Sequence, residues 1–547
     1  MPMNILTHWD INSLATPQEY EQLFTSSFAE VAAILPPTLY QLHAVMRERI
    51  SYFNRAIDRN HMAESLYTAH KKRNALASSL QNIELLKNEN TFLIIAGQQP
   101  GILTGPLYTF YKILHAVILA ERLSREMSYT FLPAYWNASE DHDFNEIATC
   151  WWLSKDGNAE SFTWPSDADR RRPFHTILAA EFPLTECLEW IRSLSHPTEF
   201  SEEILQLISS CHQNARCYPD FVDALIWRLF PEEGLIILRP DDAYVGEESR
   251  AILRRELHNP RHSSKSVADI GLLLNRHGVK TRLHKREERT SFFLVREERR
   301  IPIFCDGDGF IDDANNHYSL QQLLLLLDHQ PQSFSSTAIL RPVIQDALFP
   351  TAITIVGPGE MAYHLLLDGL YRAHEIPRPA LANRFGFTLV ENRDLRQLEK
   401  YDLSPTDLRQ DTMALIKTLL QKENRAEMKE KRIILEHTLD DFFEYTIGKA
   451  RFVDPTIIKA LEKNRAKIQR DIEQTEALIL RREAEKNEIT RRQICALQSA
   501  LFPEGDLQER RYTIFYYLMK YGMHFIKDFK AACGDLEAGK HLVVQVP

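Results

Sequence analysis

Two short segments concentrate the side chains that could do chemistry. From Ser139 to Glu146 the chain reads S-E-D-H-D-F-N-E, so that Glu140, Asp141, His142, Asp143 and Glu146 place four carboxylates and one imidazole within seven residues. A carboxylate there could orient an amine and His142 could take its proton near neutral pH. The same Asp-His-Asp cluster could instead hold a divalent metal or the magnesium of a nucleotide. Spacing alone selects none of these, and Asp141 or Asp143 could simply cap the helix that follows. From Gly97 to Tyr108 the chain reads G-Q-Q-P-G-I-L-T-G-P-L-Y. Gly97, Gly101 and Gly105 would let backbone approach an anion, Thr104 could cap a helix and Pro106 suits its first turn, leaving amides directed at a phosphate or carboxylate. Lys112 lies about two turns into that helix. Neither G-x-x-x-x-G-K-[ST] nor G-x-G-x-x-G is present, so the loop reads as an anion site or as a tight strand-to-helix turn.

A third patch runs from Leu340 to His364. Arg341, Gln345 and Asp346 precede an apolar run, and Gly357-Pro358-Gly359-Glu360 repeats the glycine turn and helix start seen near residue 97. Arg341 is a candidate fork for a carboxylate or phosphate, or one half of an Arg–Asp pair. Glu360 could be no more than a favourable charge on a helix N-terminus.

Elements that could position these groups follow from the apolar pattern. Runs beginning at Phe92 and at Phe131–Trp136, Leu235–Leu238, Phe292–Val295 and Ala352–Val356 read as strands, with helical stretches between most of them. The alternation predicts an α/β fold with a mainly parallel sheet, whose carboxyl edge would present the first two loops to one another. Residues 1–88 read as an N-terminal helical segment, broken at Pro36-Pro37 and packed on a core spanning 89–390. Polar stretches near 154–230 and 259–330 look like insertions in that core. Residues 391–505 carry charged residues around apolar positions, and Ile458, Leu461, Ile468, Ile472 and Ile479 approximate a seven-residue seam. That pattern predicts a long helical hairpin, either a coiled-coil arm between two copies or two helices packed on their own domain. Pro503 and Gly505 end it, and residues 506–547 regain aromatics and return to the core.

Composition narrows the class. A chain of 547 residues with 44% hydrophobic side chains buries a large core, and its length suggests about two to four domains. A net charge of −10 spread over both signs argues against nucleic acid as a main partner. Seven cysteines at irregular spacing form neither a disulfide framework nor a paired metal site. No apolar run reaches the roughly 18 residues of a membrane span, so no membrane association and a cytoplasmic location are expected.

Together these blocks carry a resemblance. The sequence resembles the bacillithiol biosynthesis cysteine-adding enzymes, the BshC family, in G-Q-Q-P-G-I-L-T-G-P-L-Y-T-F-Y-K, in S-E-D-H-D-F-N-E, in L-R-P-V-I-Q-D with F-P-T and G-P-G-E-M-A-Y, and in L-Q-E-R-R-Y-T-I-F-Y-Y-L-M-K-Y-G. It departs from the family habit at His364 and Thr513. The resemblance implies a Rossmann-like core similar to nucleotidylyltransferases and class I aminoacyl-tRNA synthetases, with connecting-peptide insertions and a coiled-coil arm that pairs two subunits. It implies a ligase that joins the L-cysteine carboxyl to the amine of glucosaminyl-malate. Amide formation from a carboxylate needs activation, so ATP consumed to an acyl-phosphate or acyl-adenylate is expected, with ADP or AMP released, Mg accompanying the nucleotide and no structural metal. On this reading Asp141, His142 and Asp143 orient or deprotonate the attacking amine. Gly97, Gln98, Gln99, Gly101, Thr104, Gly105, Tyr108 and Lys112 hold an anionic group, Gly357, Gly359 and Glu360 of the second turn are further substrate- or anion-binding candidates, and Arg341 with Gln345 holds malate or cysteine carboxylate. Tyr516 and Lys520 are candidates for a second nucleotide site. Two other functions fit the same loops: a different ATP-using ligase or nucleotidylyltransferase, and a non-catalytic nucleotide-binding dimeric scaffold.

Overall fold

Short runs of β-branched and aromatic residues build the central sheet: β1 (Thr91–Gln98), β2 (Thr130–Asn137), β3 (Ile236–Leu238), β4 (Thr351–Val356) and β5 (Ala380–Asn383). These come from a computed structural model that describes residues 3–9, 34–165, 171–277, 288–423, 425–486, 488–534 and 541–547. The order is β5-β4-β1-β2-β3, with every pairing parallel. Both faces are covered because alternate side chains of one strand enter different cores. Phe92, Ile94 and Ala96 pack against Val45 and Phe53 of the helix Leu42–Ala56 and against Ala116, Leu119 and Ala120 of the helix Leu107–Glu126. Leu93 and Ile95 join Met62 and Leu66 of the helix Arg59–Lys72 and Ile83 of the helix Ala77–Leu85 on the other face. Each fully buried Val, Leu, Ile, Phe or Met side chain among these contributes about 1.5–3 kcal/mol. On the helix Leu107–Glu126 the side chains of Leu107, Tyr111, Leu114 and Ile118 are buried.

From β1 the chain steps to β2 and β3 on one side and later to β4 and β5 on the other. The order therefore reverses between β1 and β4, and a crevice opens at the carboxyl ends of those strands.

Two expectations need correction. The run Phe292–Val295 is a strand, within Arg289–Arg296, but it does not join the parallel sheet. It belongs to an antiparallel sheet ordered His317–Tyr318, Gly309–Asp312, Arg299–Asp306, Arg289–Arg296, Phe334–Ser336. A buried apolar run looks alike in either sheet, and only its distant partners decide. The N-terminal segment is not helical throughout. Asn4–Trp9 is a strand, antiparallel to His541–Val546, which lies beside Gly386–Glu391 in a three-stranded sheet. Its partner sits at the other end of the chain, beyond any local pattern. Residues 10–33 of that segment, 166–170 and 278–287 of the insertions lie outside the described residues.

The chain divides into two units: Met1–Trp152 with Glu160–Leu389 and Glu509–Pro547, and Leu153–Ala159 with Val390–Gln508. The second unit is dominated by the helices Thr412–Glu423, Arg425–Val453, Ile458–Lys486 and Glu488–Leu501. Asp454 starts the turn between the two longest by accepting the Thr456 amide at 2.9 Å. Arg432 bonds Glu436 and Glu476, and Arg465 bonds Asp440 across the hairpin. Among the described residues no helix is long and apolar enough to cross a membrane.

Candidate functional site

At the carboxyl ends of β1, β2 and β4 lies a cavity of about 1100 Å³. Its floor is Gly97 and Gln98 of β1, Trp136 of β2 and Thr354 to Val356 of β4. The loop after β2 supplies Asp141, His142 and Asp143 on one side. Arg341 and Gln345 come from the helix Arg341–Leu348, and Glu360, Tyr363 and His364 from the helix Pro358–Leu365. Arg510 and Arg511 close it from the C-terminal segment.

The glycine loop is built differently from its expected role. Three of its amides are met within the protein: Gly101 donates to the Gln99 carbonyl at 2.9 Å, Gly105 to Ile102 at 2.9 Å, and Leu107, the first helical residue, to Tyr512 at 2.7 Å. Thr104 does not cap the helix. It has φ +67° beside Leu103 at φ +50°, and Pro106 occupies the N-cap. A Cβ on Gly101 would lie 2.8 Å from the Gly105 Cα, so these glycines let the loop fold tightly on itself. Gly101, Thr104 and Gly105 are buried away from the cavity, while Gly97, Gln98, Gln99 and Tyr108 line it. Burial and the charge of Glu360 push the Tyr108 hydroxyl up to about 12.

Lys112 also departs from expectation. Its Nζ donates to the Gly97 carbonyl at 2.8 Å, to Gln98 Oε1 at 3.0 Å and to the Glu360 carboxylate at 2.7 Å. An ammonium has three donors, and all three are used. Burial draws this ammonium below its ordinary value, and Glu360 offsets part of that. Burial alone would raise Glu360, but Lys112 and the Gly357 amide, at 2.7 Å, hold its carboxyl below the usual range. Lys112 and Glu360 thus tie the first glycine turn to the second. Gly357 and Gly359 shape the second turn without lining the cavity.

In the acidic loop each residue has a separate environment. Glu140 is buried and accepts from Ser335 Oγ and Ser336 Oγ at 2.7 Å and from the Ser336 amide at 3.1 Å, pinning the loop to the insertion. Asp141 accepts the His142 amide at 2.8 Å and lies 3.4 Å from Arg300 and 3.7 Å from Arg341. Burial would raise its carboxyl, yet the bond from His142 and the two guanidinium groups hold it far below the usual range. Arg341 therefore meets Asp141, not Asp346, whose carboxylate bonds Tyr371 and Gln345. His142 Nδ1 lies 2.8 Å from Arg300 Nη1, and its ring meets the edge of Phe293 at 5.5 Å. Asp143 opens the short helix Phe144–Ile147 without a side-chain capping bond. Glu146 bonds Gln99 and is raised by burial and by the nearby charges of Asp141 and Asp143.

Sequence reasoning missed three cations. Arg300 arrives from the antiparallel insertion, where nothing in its local pattern marks it. Arg510 and Arg511 stand in the quoted L-Q-E-R-R-Y block, where a charged doublet amid aromatics was the available signal. Arg511 lies over the Trp151 ring at 5.1 Å, and the neighbouring Glu509 is clamped by Nη1 and Nη2 of Arg384. Tyr516 and Lys520 are not brought to this cavity. Lys520 Nζ donates to the Tyr516 hydroxyl at 2.6 Å, and Tyr516 packs on Trp152. Among the described residues no group of three His, Cys, Asp or Glu side chains is arranged to hold a metal ion.

Comparison with known proteins places the chain among relatives along most of its length. Residues 12–385 match the profile "Bacillithiol biosynthesis BshC, N-terminal Rossmann-like domain", and residues 387–546 match "Bacillithiol biosynthesis BshC, C-terminal coiled-coil domain". Proteins named "Putative cysteine ligase BshC" are similar to it. The one from Bacillus cytotoxicus is 27% identical over 87% of this chain and 88% of the relative. That from Geobacillus thermodenitrificans is 28% identical over 92% and 93%, and that from Salinibacter ruber 26% over 96% and 95%.

Proposed function

The chain belongs to the BshC family of bacillithiol biosynthesis, and on that premise we propose that its cavity joins the carboxyl of L-cysteine to the free amine of glucosaminyl-malate, forming an amide. One observation carries the reading: His142 and Asp143 line the same cavity as Arg341, Arg510 and Arg511, where the strand order reverses. The two substrates carry carboxylates that need cations and an amine that must lose a proton. Both requirements meet there.

A carboxylate does not acylate an amine at neutral pH until its oxygen becomes a leaving group, which ATP would supply. In this proposal the anionic groups of substrate and nucleotide lie on Arg341, Arg510 and Arg511. The Leu107 amide at the start of the helix Leu107–Glu126 is not part of the cradle, since it already serves Tyr512. Magnesium would enter with the nucleotide. Asp143, free of a capping role, takes the amine proton as the carbon–nitrogen bond forms. Asp141, tied between Arg300 and Arg341, keeps those charges balanced.

Turnover of the purified protein with glucosaminyl-malate and cysteine, with and without Mg-ATP, followed by mass spectrometry, tests this. Amide product together with ADP or AMP is expected. Absence of product with every component present refutes the ligase reading. Asp143→Asn should lower kcat about 100-fold or more while substrate binding persists.

A further inference from the structure

Arg300 sits on the strand Arg299–Asp306 and is almost wholly buried. Three contacts hold it: Nη2 donates to the Ser336 carbonyl, the guanidinium carbon lies 4.1 Å over the Phe293 ring, and Nη1 points at His142 Nδ1 from 2.8 Å. A guanidinium can only donate. The Nδ1 atom must therefore be the acceptor, and the single ring proton of His142 sits on Nε2. The other available partner of Nδ1 is Asp141 Oδ1, but at 3.6 Å it is beyond hydrogen-bond length.

We propose that Arg300 is a positioning residue that fixes His142 as a hydrogen-bond donor through Nε2–H, so that His142 polarises the oxygen of the reacting acyl group and does not take the amine proton. With Nδ1 engaged and Nε2 protonated, the ring keeps no lone pair with which to accept a proton. A neutral imidazole held this way donates to an oxygen as negative charge develops on it. The proton of the attacking amine then goes to the carboxylate of Asp143. The tautomer rests on the Arg300 geometry alone, whereas the identity of the polarised oxygen rests on the ligase reading.

The test separates the two. Diethyl pyrocarbonate acylates an imidazole nitrogen that has a free lone pair, and peptide mass spectrometry reads each histidine of the intact protein. In the wild type His142 should react at least about tenfold more slowly than His43, which is exposed on a helix. Arg300→Met should remove the protection, and Arg300→Lys, which retains a cationic donor, should restore part of it. Reaction of His142 as fast as His43 in the wild type, or protection unchanged in Arg300→Met, or lost equally in both variants, overturns the proposal. A turnover readout completes it: His142→Gln retains an N–H near the Nε2 position and should keep activity about tenfold or more above His142→Ala. Equal inactivity of the two variants refutes the donor role. If the wild type forms no amide while the protection pattern holds, the ligase reading fails and the tautomer stands.

Discussion

Lys112 and Glu360 show how a residue's role depends on what its hydrogen bonds reach. A lysine beyond a glycine loop reads as a free cation, yet its three donors are spent on Gly97, Gln98 and Glu360. Glu360→Gln would leave the ammonium buried with no opposite charge, and a loss of about 3 kcal/mol in urea unfolding is expected. Glu360→Gln combined with Lys112→Met, which removes both charges, should cost less. The carboxylates of Asp141, Glu360 and Glu509 lie below their ordinary values in the folded protein, held by the bond from His142 with Arg341 and Arg300, by Lys112, and by Arg384. Depressed groups stabilise the fold above their unfolded value of about 4, and that contribution disappears as pH falls through the folded values. Asp242 acts oppositely: burial lifts it to about 6, so it weakens the fold as pH rises from about 4 through that value. Urea midpoints should drop between pH 5 and pH 3, and Asp141→Asn should make the drop shallower. An unchanged slope would show that Asp141 does not carry it.

At the scale of elements, the two glycine turns look alike in sequence and differ in packing. In the first, a Cβ at Gly101 would meet backbone at 2.8 Å; in the second, Gly359 has nothing within 4 Å. Gly101→Ala should therefore lower stability by about 2 kcal/mol and disturb the loop. Gly359→Ala, inside the first turn of a helix, should leave stability unchanged or raise it by up to about 1 kcal/mol. Thermal unfolding of the two variants measures the contrast, and equal shifts would refute it. The antiparallel insertion likewise has a role that its sequence hides. Ser335 and Ser336 grip Glu140, and Arg300 grips His142, so the acidic loop is held from a sheet formed by a different part of the chain.

Across the whole molecule, the helical arm carries apolar side chains that its own hairpin leaves uncovered: Ile468 is 37% exposed and Ile479 47%. If two copies meet along this seam, Ile468→Glu with Ile479→Glu should give a folded monomer in sedimentation, and an unchanged dimer would sink the idea. By itself the sequence determined the α/β class, the strands at Phe92, Phe131, Leu235 and Ala352, the long charged helices and the four blocks that mark the family. Those signals are local: periodicity, turn residues and contiguous motifs lie within a few turns of chain. The tertiary structure alone decided that Phe292–Val295 enters a separate sheet, that Asn4–Trp9 pairs with His541–Val546, that Tyr512 and Glu360 occupy the groups the glycine loop and Lys112 were expected to offer, and that Arg300 reaches His142. Each of these is a contact between residues far apart in the chain, and a one-dimensional pattern records which groups exist but not which partner satisfies them.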